Sequence, residues 1–134
     1  MKLTPKALLF DMDGTLTEPR QPITDDVLAA LRSTAAGTKR HLVTGSELAK
    51  IEEQIPKDDL LFLFDRVYAC NGTRVYNCNL DMDDETSPVE PELIHKVTLL
   101  DHYSNADINH IINVLLKIAS KTHTKIKTGT FIEW

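Results

Sequence analysis

The chain has 134 residues, 42% of them hydrophobic, and a formal net charge of −5 without a basic block. That length suits one ordinary domain, or a core and part of a second. The acidic balance argues against a nucleic-acid surface, and no apolar run nears the roughly 20 residues that span a bilayer. The opening Met1-Lys2-Leu3-Thr4-Pro5-Lys6 lacks the apolar core and cleavage site of a secretory leader. Cys70 and Cys78 form no C-x-x-C pair, so free thiols in a reducing cytoplasm are expected.

The first element is the apolar run Ala7 to Phe10, read as a strand buried on both faces. It ends in Asp11-Met12-Asp13-Gly14-Thr15-Leu16-Thr17. In an open α/β sheet the carboxyl ends of the strands are where ligands bind. Residues i and i+2 of an extended chain point the same way, so Asp11 and Asp13 can face one site. Two neighbouring carboxylates repel, and a hard divalent cation relieves them. One carboxylate can attack phosphorus to give an aspartyl-phosphate while the other carries the proton. Asp-Gly is also a common turn pair with no chemistry attached. The apolar strand before it and Thr-Leu-Thr after it favour the chemical reading.

Glu18 to Ile23 is a loop with two prolines, and its Arg20 is either a phosphate clamp or a solvated side chain. Thr24 reads as the N-cap of a helix with Asp25 and Asp26 in its first turn, an inner stripe of Val27, Leu28 and Leu31, and a stop at Gly37. His41-Leu42-Val43 is a short strand ending at Thr44-Gly45-Ser46. Hydroxyls and N–H groups at such a turn can hold phosphate oxygens, and Ser46 can equally be the N-cap of a helix Glu47–Ile55. Lys50 lies near this turn in sequence, or on the solvated face of that helix. Pro56 closes the helix, Lys57-Asp58-Asp59 is a loop, and Leu60 to Phe64 an apolar run of undecided type.

Val67 to Cys70 reads as a third strand, Asn71-Gly72 as a turn, and Thr73 to Tyr76 as the returning strand of a hairpin. The acidic stretch Asn79 to Pro91 reads as a solvated boundary, since the ligand spacing of an EF-hand is absent. Leu93, Val97 and Leu100 suggest a helix, and Ser104 to Asp107 a capping box opening a second. Ile108, Ile111, Ile112, Leu115, Leu116 and Ala119 recur at helical spacing and read as core. His95, His102, His110 and His123 show no ligand spacing. Lys125 to Trp134 ends in the alternation of a half-buried strand.

Phe10 to Thr17 resembles the motif of the haloacid dehalogenase superfamily, whose first Asp is the nucleophile and second the acid/base. Arg20 and Ile23, Gly45-Ser46, Lys50-Ile51, Glu53-Gln54, Asn71-Gly72-Thr73 and Gly129-Thr130-Phe131-Ile132-Glu133 narrow the likeness. With these stretches nearly the whole chain is similar to the eukaryotic-type phosphomannomutases. The resemblance implies a partial Rossmann-like core, a parallel sheet with a β-hairpin, followed by the first part of an α+β cap. Residues 1–80 would be core, 81–91 linker and 92–134 cap. It implies Asp11 and Asp13 around Mg2+, with Arg20, Thr44, Gly45 and Ser46 on the substrate. The reaction would interconvert mannose 6-phosphate and mannose 1-phosphate through a bisphosphate, for GDP-mannose synthesis. A cytoplasmic homodimer formed through the cap would follow, with no membrane or nucleic-acid partner.

Thr44 stands where the family has glycine, Glu47 where it has aspartate, and Cys70 where it has an acidic residue. The family's cap arginines, its later core lysine and its remaining magnesium carboxylates have no counterpart here. The chain is therefore expected to be the N-terminal part of such an enzyme, truncated and of doubtful activity. The alternatives are a sugar-phosphate phosphatase of the same superfamily, or a non-catalytic dimerising fragment.

Overall fold

In the computed structural model, which describes residues 6–34, 36–78 and 90–121, parallel pairing of two strands sets the architecture. Strand β1 (Ala7–Asp11) lies beside β2 (Lys39–Val43) with Asp11 opposite Val43. Strand β3 (Arg66–Ala69) lies parallel on the far side of β2, with Val43 opposite Tyr68. All three strands therefore end at one edge of the sheet. Parallel neighbours need a crossover, and helices supply it. Helix α1 (Asp25–Arg32) links β1 to β2, and α2 (Leu48–Gln54) with α3 (Lys57–Leu63) links β2 to β3.

Strand β4 (Arg74–Asn77) returns antiparallel to β3 through the tight turn Cys70–Gly72. Asn71 takes φ +57° there, and Gly72 φ +86°. An Asn-Gly pair tolerates such angles best, so the expected hairpin forms. Strand β5 (Glu92–Lys96) adds antiparallel to β4, giving the order β1-β2-β3-β4-β5. The core gathers side chains of the helices and central strands: Met12, Leu42, Ile51, Ile55, Leu60, Leu63 and Val67 are fully buried.

Several expectations are corrected. Strand β1 is not buried on both faces: its exposure alternates along the strand, so one face lies open, and Leu9 is 68% exposed. Helix α1 stops at Arg32, well before Gly37, and its Thr24 N-cap makes no side-chain bond. Helix α2 begins at Leu48 with Glu47, not Ser46, as its N-cap. The supposed loop Lys57-Asp58-Asp59 is the first turn of α3. Pro56 at its head and two acids in its first turn stabilise that start.

The segment around Leu93 is a strand rather than a helix, since the free edge of β4 offers it a backbone ladder. Residues 92–96, expected with the cap, therefore belong to the sheet. The described residues fall into two compact units that divide between Val97 and Thr98. Within the second unit, Leu99–Asp101 forms a 3₁₀ turn and Asn105–Lys121 the helix α4. The expected capping box opens α4: Asp107 N–H donates to Ser104 Oγ at 3.2 Å, and Ser104 N–H to Asp107 Oδ2 at 3.0 Å. The Ser104 hydroxyl and N–H hold the Asp107 carboxyl below its ordinary value. No residue of α4 is buried among the described residues, contrary to the core reading of Ile108 to Ala119. His95, His102 and His110 are exposed; His123 and the strand expected at Lys125 to Trp134 lie outside the described residues.

Candidate active site

Asp11 closes β1 at the edge where β2 and β3 also end. Asp11 and Asp13 are both exposed while Met12 between them is fully buried, so the two carboxylates leave the core on one side. Beyond Asp13 the chain folds back tightly. Gly14 takes φ +81°, and its N–H donates to Thr17 O at 2.7 Å. A side chain at Gly14 would meet no neighbour, so the backbone angle alone requires glycine. The N–H groups of Leu16 and Thr17 converge on Met12 O at 2.9 and 3.0 Å, which keeps the turn rigid. Thr15 Oγ1 donates to Asp11 Oδ2 at 3.2 Å and steadies that carboxylate.

Arg20 is brought to the same place. Its main-chain N–H donates to Asp13 Oδ1 at 3.0 Å, and its backbone adopts φ +62°, a left-handed angle uncommon outside glycine. The loop between Asp13 and Arg20 thus closes on the carboxylate.

The second predicted segment follows β2. Thr44 is buried: its N–H donates to Tyr68 O at 2.9 Å and its carbonyl accepts from Asn71 N–H at 3.0 Å. Its hydroxyl accepts from Ser46 N–H at 3.1 Å, so that N–H is engaged within the turn. Gly45 lies against Asn71, where an added Cβ would meet Oδ1 at 3.2 Å. Ser46 O accepts from Cys70 N–H at 3.0 Å, which ties this turn to the hairpin turn. Lys50 reaches Glu47 at 4.0 Å on the surface of α2. Asp11 and Thr44 are thus the last residue of β1 and the first after β2, on neighbouring strands at one edge.

Two residues inside the matched stretches make a contact that a reading of the motifs does not give. Gln54, at the end of α2, is only 6% exposed, and Thr17 is equally buried. Their side chains meet at 2.9 Å. A polar residue three positions after Ile51, on the inner stripe of an otherwise apolar helix face, was the available signal. Cys70 and Cys78 are free thiols, the second buried. A separate cavity of about 220 Å³ opens among Gly37, Lys39, Arg40, Leu61, Phe62 and Asp65, where β2 begins rather than where it ends. No described helix is long and apolar enough to cross a membrane.

A family model described as eukaryotic phosphomannomutase matches residues 25–134. Human phosphomannomutase 1 is 34% identical over 127 residues, which is 94% of this chain and 44% of that protein. The phosphomannomutase of Galdieria sulphuraria is 32% identical over 133 residues, 99% of this chain and 48% of the relative. That second match takes in Asp11, Asp13 and Arg20, which precede the stretch the family model covers. The chain spans less than half the length of these curated relatives.

Among solved structures, a haloacid dehalogenase-like hydrolase from B. subtilis superposes with a TM-score of 0.57 over 86% of this chain and 34% of that one, at 19% identity. The phosphatase BT1666 from Bacteroides thetaiotaomicron gives 0.55 over 87% and 37%, at 21% identity. These two likenesses show the fold: the α/β core of haloacid dehalogenase type expected from the motif. With the family model matching most of its length and the curated relatives nearly all of it, the chain belongs to the eukaryotic phosphomannomutase family.

Proposed function

We propose that this chain carries the nucleophile side of a phosphomannomutase-type phosphotransferase site. Asp11 is its nucleophile and Asp13 its acid/base. The observation that carries the reading is the closure of the Arg20 loop on Asp13 at the strand edge that Asp11 ends. A carboxylate oxygen of Asp11 attacks phosphorus and forms the acyl-phosphate bond. The bond from phosphorus to the sugar oxygen breaks, and that oxygen takes the proton of Asp13. In the return step Asp13 removes the proton of the sugar hydroxyl that attacks the aspartyl-phosphate. Arg20 binds a phosphate group of the substrate through its guanidinium, whose paired N–H groups suit phosphate oxygens. Thr44, Gly45 and Ser46 border the transferring group, with the Ser46 hydroxyl as donor.

The donor set suits Mg2+, which takes hard oxygen ligands and keeps several waters with one or two carboxylates. Asp11 and Asp13 would hold it; among the described residues no group of three or more acidic, His or Cys side chains does so. When bound, the ion supplies charge neutralisation to the phosphoryl oxygens. The substrates under this reading are mannose 6-phosphate and mannose 1-phosphate, serving GDP-mannose synthesis in the cytoplasm. Residues from Thr98 on form the first part of a cap, through which a homodimer assembles.

The test is phosphoenzyme trapping. With a labelled hexose bisphosphate and Mg2+, the protein should take up one acid-stable, hydroxylamine-labile phosphoryl group, and Asp11→Asn should take up none. Bisphosphate-dependent turnover of mannose 1-phosphate marks the mutase, whereas phosphate release without bisphosphate marks a phosphatase. Absence of labelling in the unaltered protein would overturn the proposal.

A further inference from the structure

Gln54 is buried at the end of α2, and a buried amide needs partners for both its oxygen and its nitrogen. Which way the amide faces is decided by its neighbours, and those neighbours are acceptors. With the nitrogen turned inward, the two hydrogens of Nε2 face three acceptors, Thr17 Oγ1 at 2.9 Å, Asp13 Oδ1 at 3.1 Å and Gln21 O at 3.3 Å. The opposite orientation would set Oε1 against a carboxylate and a carbonyl, which repel it. The Thr17 hydroxyl can donate to Met12 O at 3.2 Å, leaving its oxygen free to accept from Gln54. The main chain of Gln54 acts on the same loop, because its carbonyl accepts from Ile23 N–H at 2.8 Å.

We infer that Gln54 is the positioning residue of this site: its amide sets the carboxylate of Asp13 and, from the same residue, seats the loop that carries Arg20. This rests on the reading of Asp13 as acid/base. Two neutral donors, the Gln54 amide and the Arg20 N–H, meet on one oxygen, Oδ1. They fix the rotation of the carboxylate and leave Oδ2 to carry the proton. Among the described residues the Asp13 carboxylate accepts from both the Gln54 amide and the Arg20 N–H, so Gln54 reaches Arg20 through it. Glutamine is the side chain this place requires. A glutamate would turn a second negative charge toward Asp13, and methionine would fill the space without donating.

The experiment follows hydrogen exchange of the Arg20 N–H in the ¹⁵N-labelled full chain. In Gln54→Met, the Arg20 N–H should exchange about tenfold faster, while the Thr44 N–H in the sheet keeps its rate. A space-filling role would leave both unchanged. Should Gln54→Met fail to fold, Asp13→Ala in the native background serves instead, and should displace the side-chain NH2 signals of Gln54.

Unchanged Arg20 exchange in Gln54→Met would overturn the inference. So would undisplaced Gln54 signals in Asp13→Ala. Turnover separates this from the underlying reading. Gln54→Met should lower kcat about 10- to 100-fold with little change in KM, the size expected of a misplaced catalytic group. If Arg20 exchange responds as expected but Asp13→Ala still turns over alkyl phosphates at the native rate, the acid/base reading falls and the placing role of Gln54 stands.

Discussion

The carboxylate of Asp13 and the main-chain N–H of Arg20 are 3.0 Å apart, so the second acid of the motif anchors the loop that brings the arginine to the site. Arg20 meets this bond with a left-handed backbone, φ +62°. Outside glycine such an angle costs roughly 1–2 kcal/mol.

Arg20→Gly should therefore be more stable than Arg20→Ala by about 0.5–1 kcal/mol, the strain relieved being partly offset by the freer unfolded chain. Urea denaturation of the two variants checks it. Both lose the guanidinium, so binding of inorganic phosphate should weaken equally in each. A glycine variant less stable than the alanine one would show that the loop is not strained at this position.

Asp65 fastens three strands. Its carboxylate accepts from Lys39 Nζ at 2.6 Å and from Arg40 N–H at 2.9 Å, and its carbonyl accepts from Cys78 N–H at 3.1 Å. Burial works against its charge, but the Lys39 ammonium and the Arg40 N–H outweigh it and hold the carboxyl below its usual 3.8. A depressed folded value adds stability above the unfolded pKa, and that stability is lost as pH falls through the folded value. Asp65→Asn should thus cost about 1 kcal/mol at neutral pH, a figure kept small because the Lys39 side chain is 60% exposed. The difference from the native protein should disappear in denaturation curves taken well below pH 3.8.

Cys78 carries the opposite shift. Burial, with a lesser push from the charge of Glu52, raises its thiol to about 12. In the native protein a thiol reagent at pH 8 should label Cys70, which is half-buried, and spare Cys78 until urea unfolds the chain. The raised value also predicts a pH trend. Stability is intact below the ordinary thiol value of 9.0 and declines as pH climbs from there toward 12. Cys78→Ala should flatten that alkaline decline. Fast labelling of two thiols without denaturant would contradict the burial.

Gly45 touches Asn71 across the two turns that end β2 and β3. A methyl group there would stand 3.2 Å from Asn71 Oδ1, closer than most such contacts. Asn71 holds a left-handed angle and donates its N–H to Thr44 O, so its backbone is fixed and the side chain must turn to make room. Gly45→Ala should cost about 1 kcal/mol, the low end of the range for overpacking, since a side-chain end can yield. Adding Asn71→Gly to that background should recover part of the loss, a non-additivity that a double-mutant cycle measures.

Much of the fold was legible because the signals were local. The Asn71-Gly72 pair announced a hairpin, and Ser104 to Asp107 announced a helix start that the hydrogen bonds realise. The start of α3 was equally local, in Pro56 and the acids after it, and should have been read as a helix. What misled lay at long range. The apolar run of β1 read as buried, yet its exposure depends on what flanks it, and Leu9 lies open. The spacing of Leu93, Val97 and Leu100 fitted a helix, but the free edge of β4 recruits Glu92–Lys96 as a strand.

The sequence by itself determined the strand that ends in Asp11, the acid beside it at Asp13, the turn at Gly14 and the family to which these belong. Those features are written in neighbouring residues, where a backbone period or a required angle leaves its mark directly. Only the tertiary structure decided that Gln54 meets Thr17, 37 residues away, and faces Asp13. The end of α2 reaches the Arg20 loop because helix packing and strand register bring them together. A buried amide then takes the partners it finds there, since leaving its polar atoms unpaired would cost about 1–3 kcal/mol.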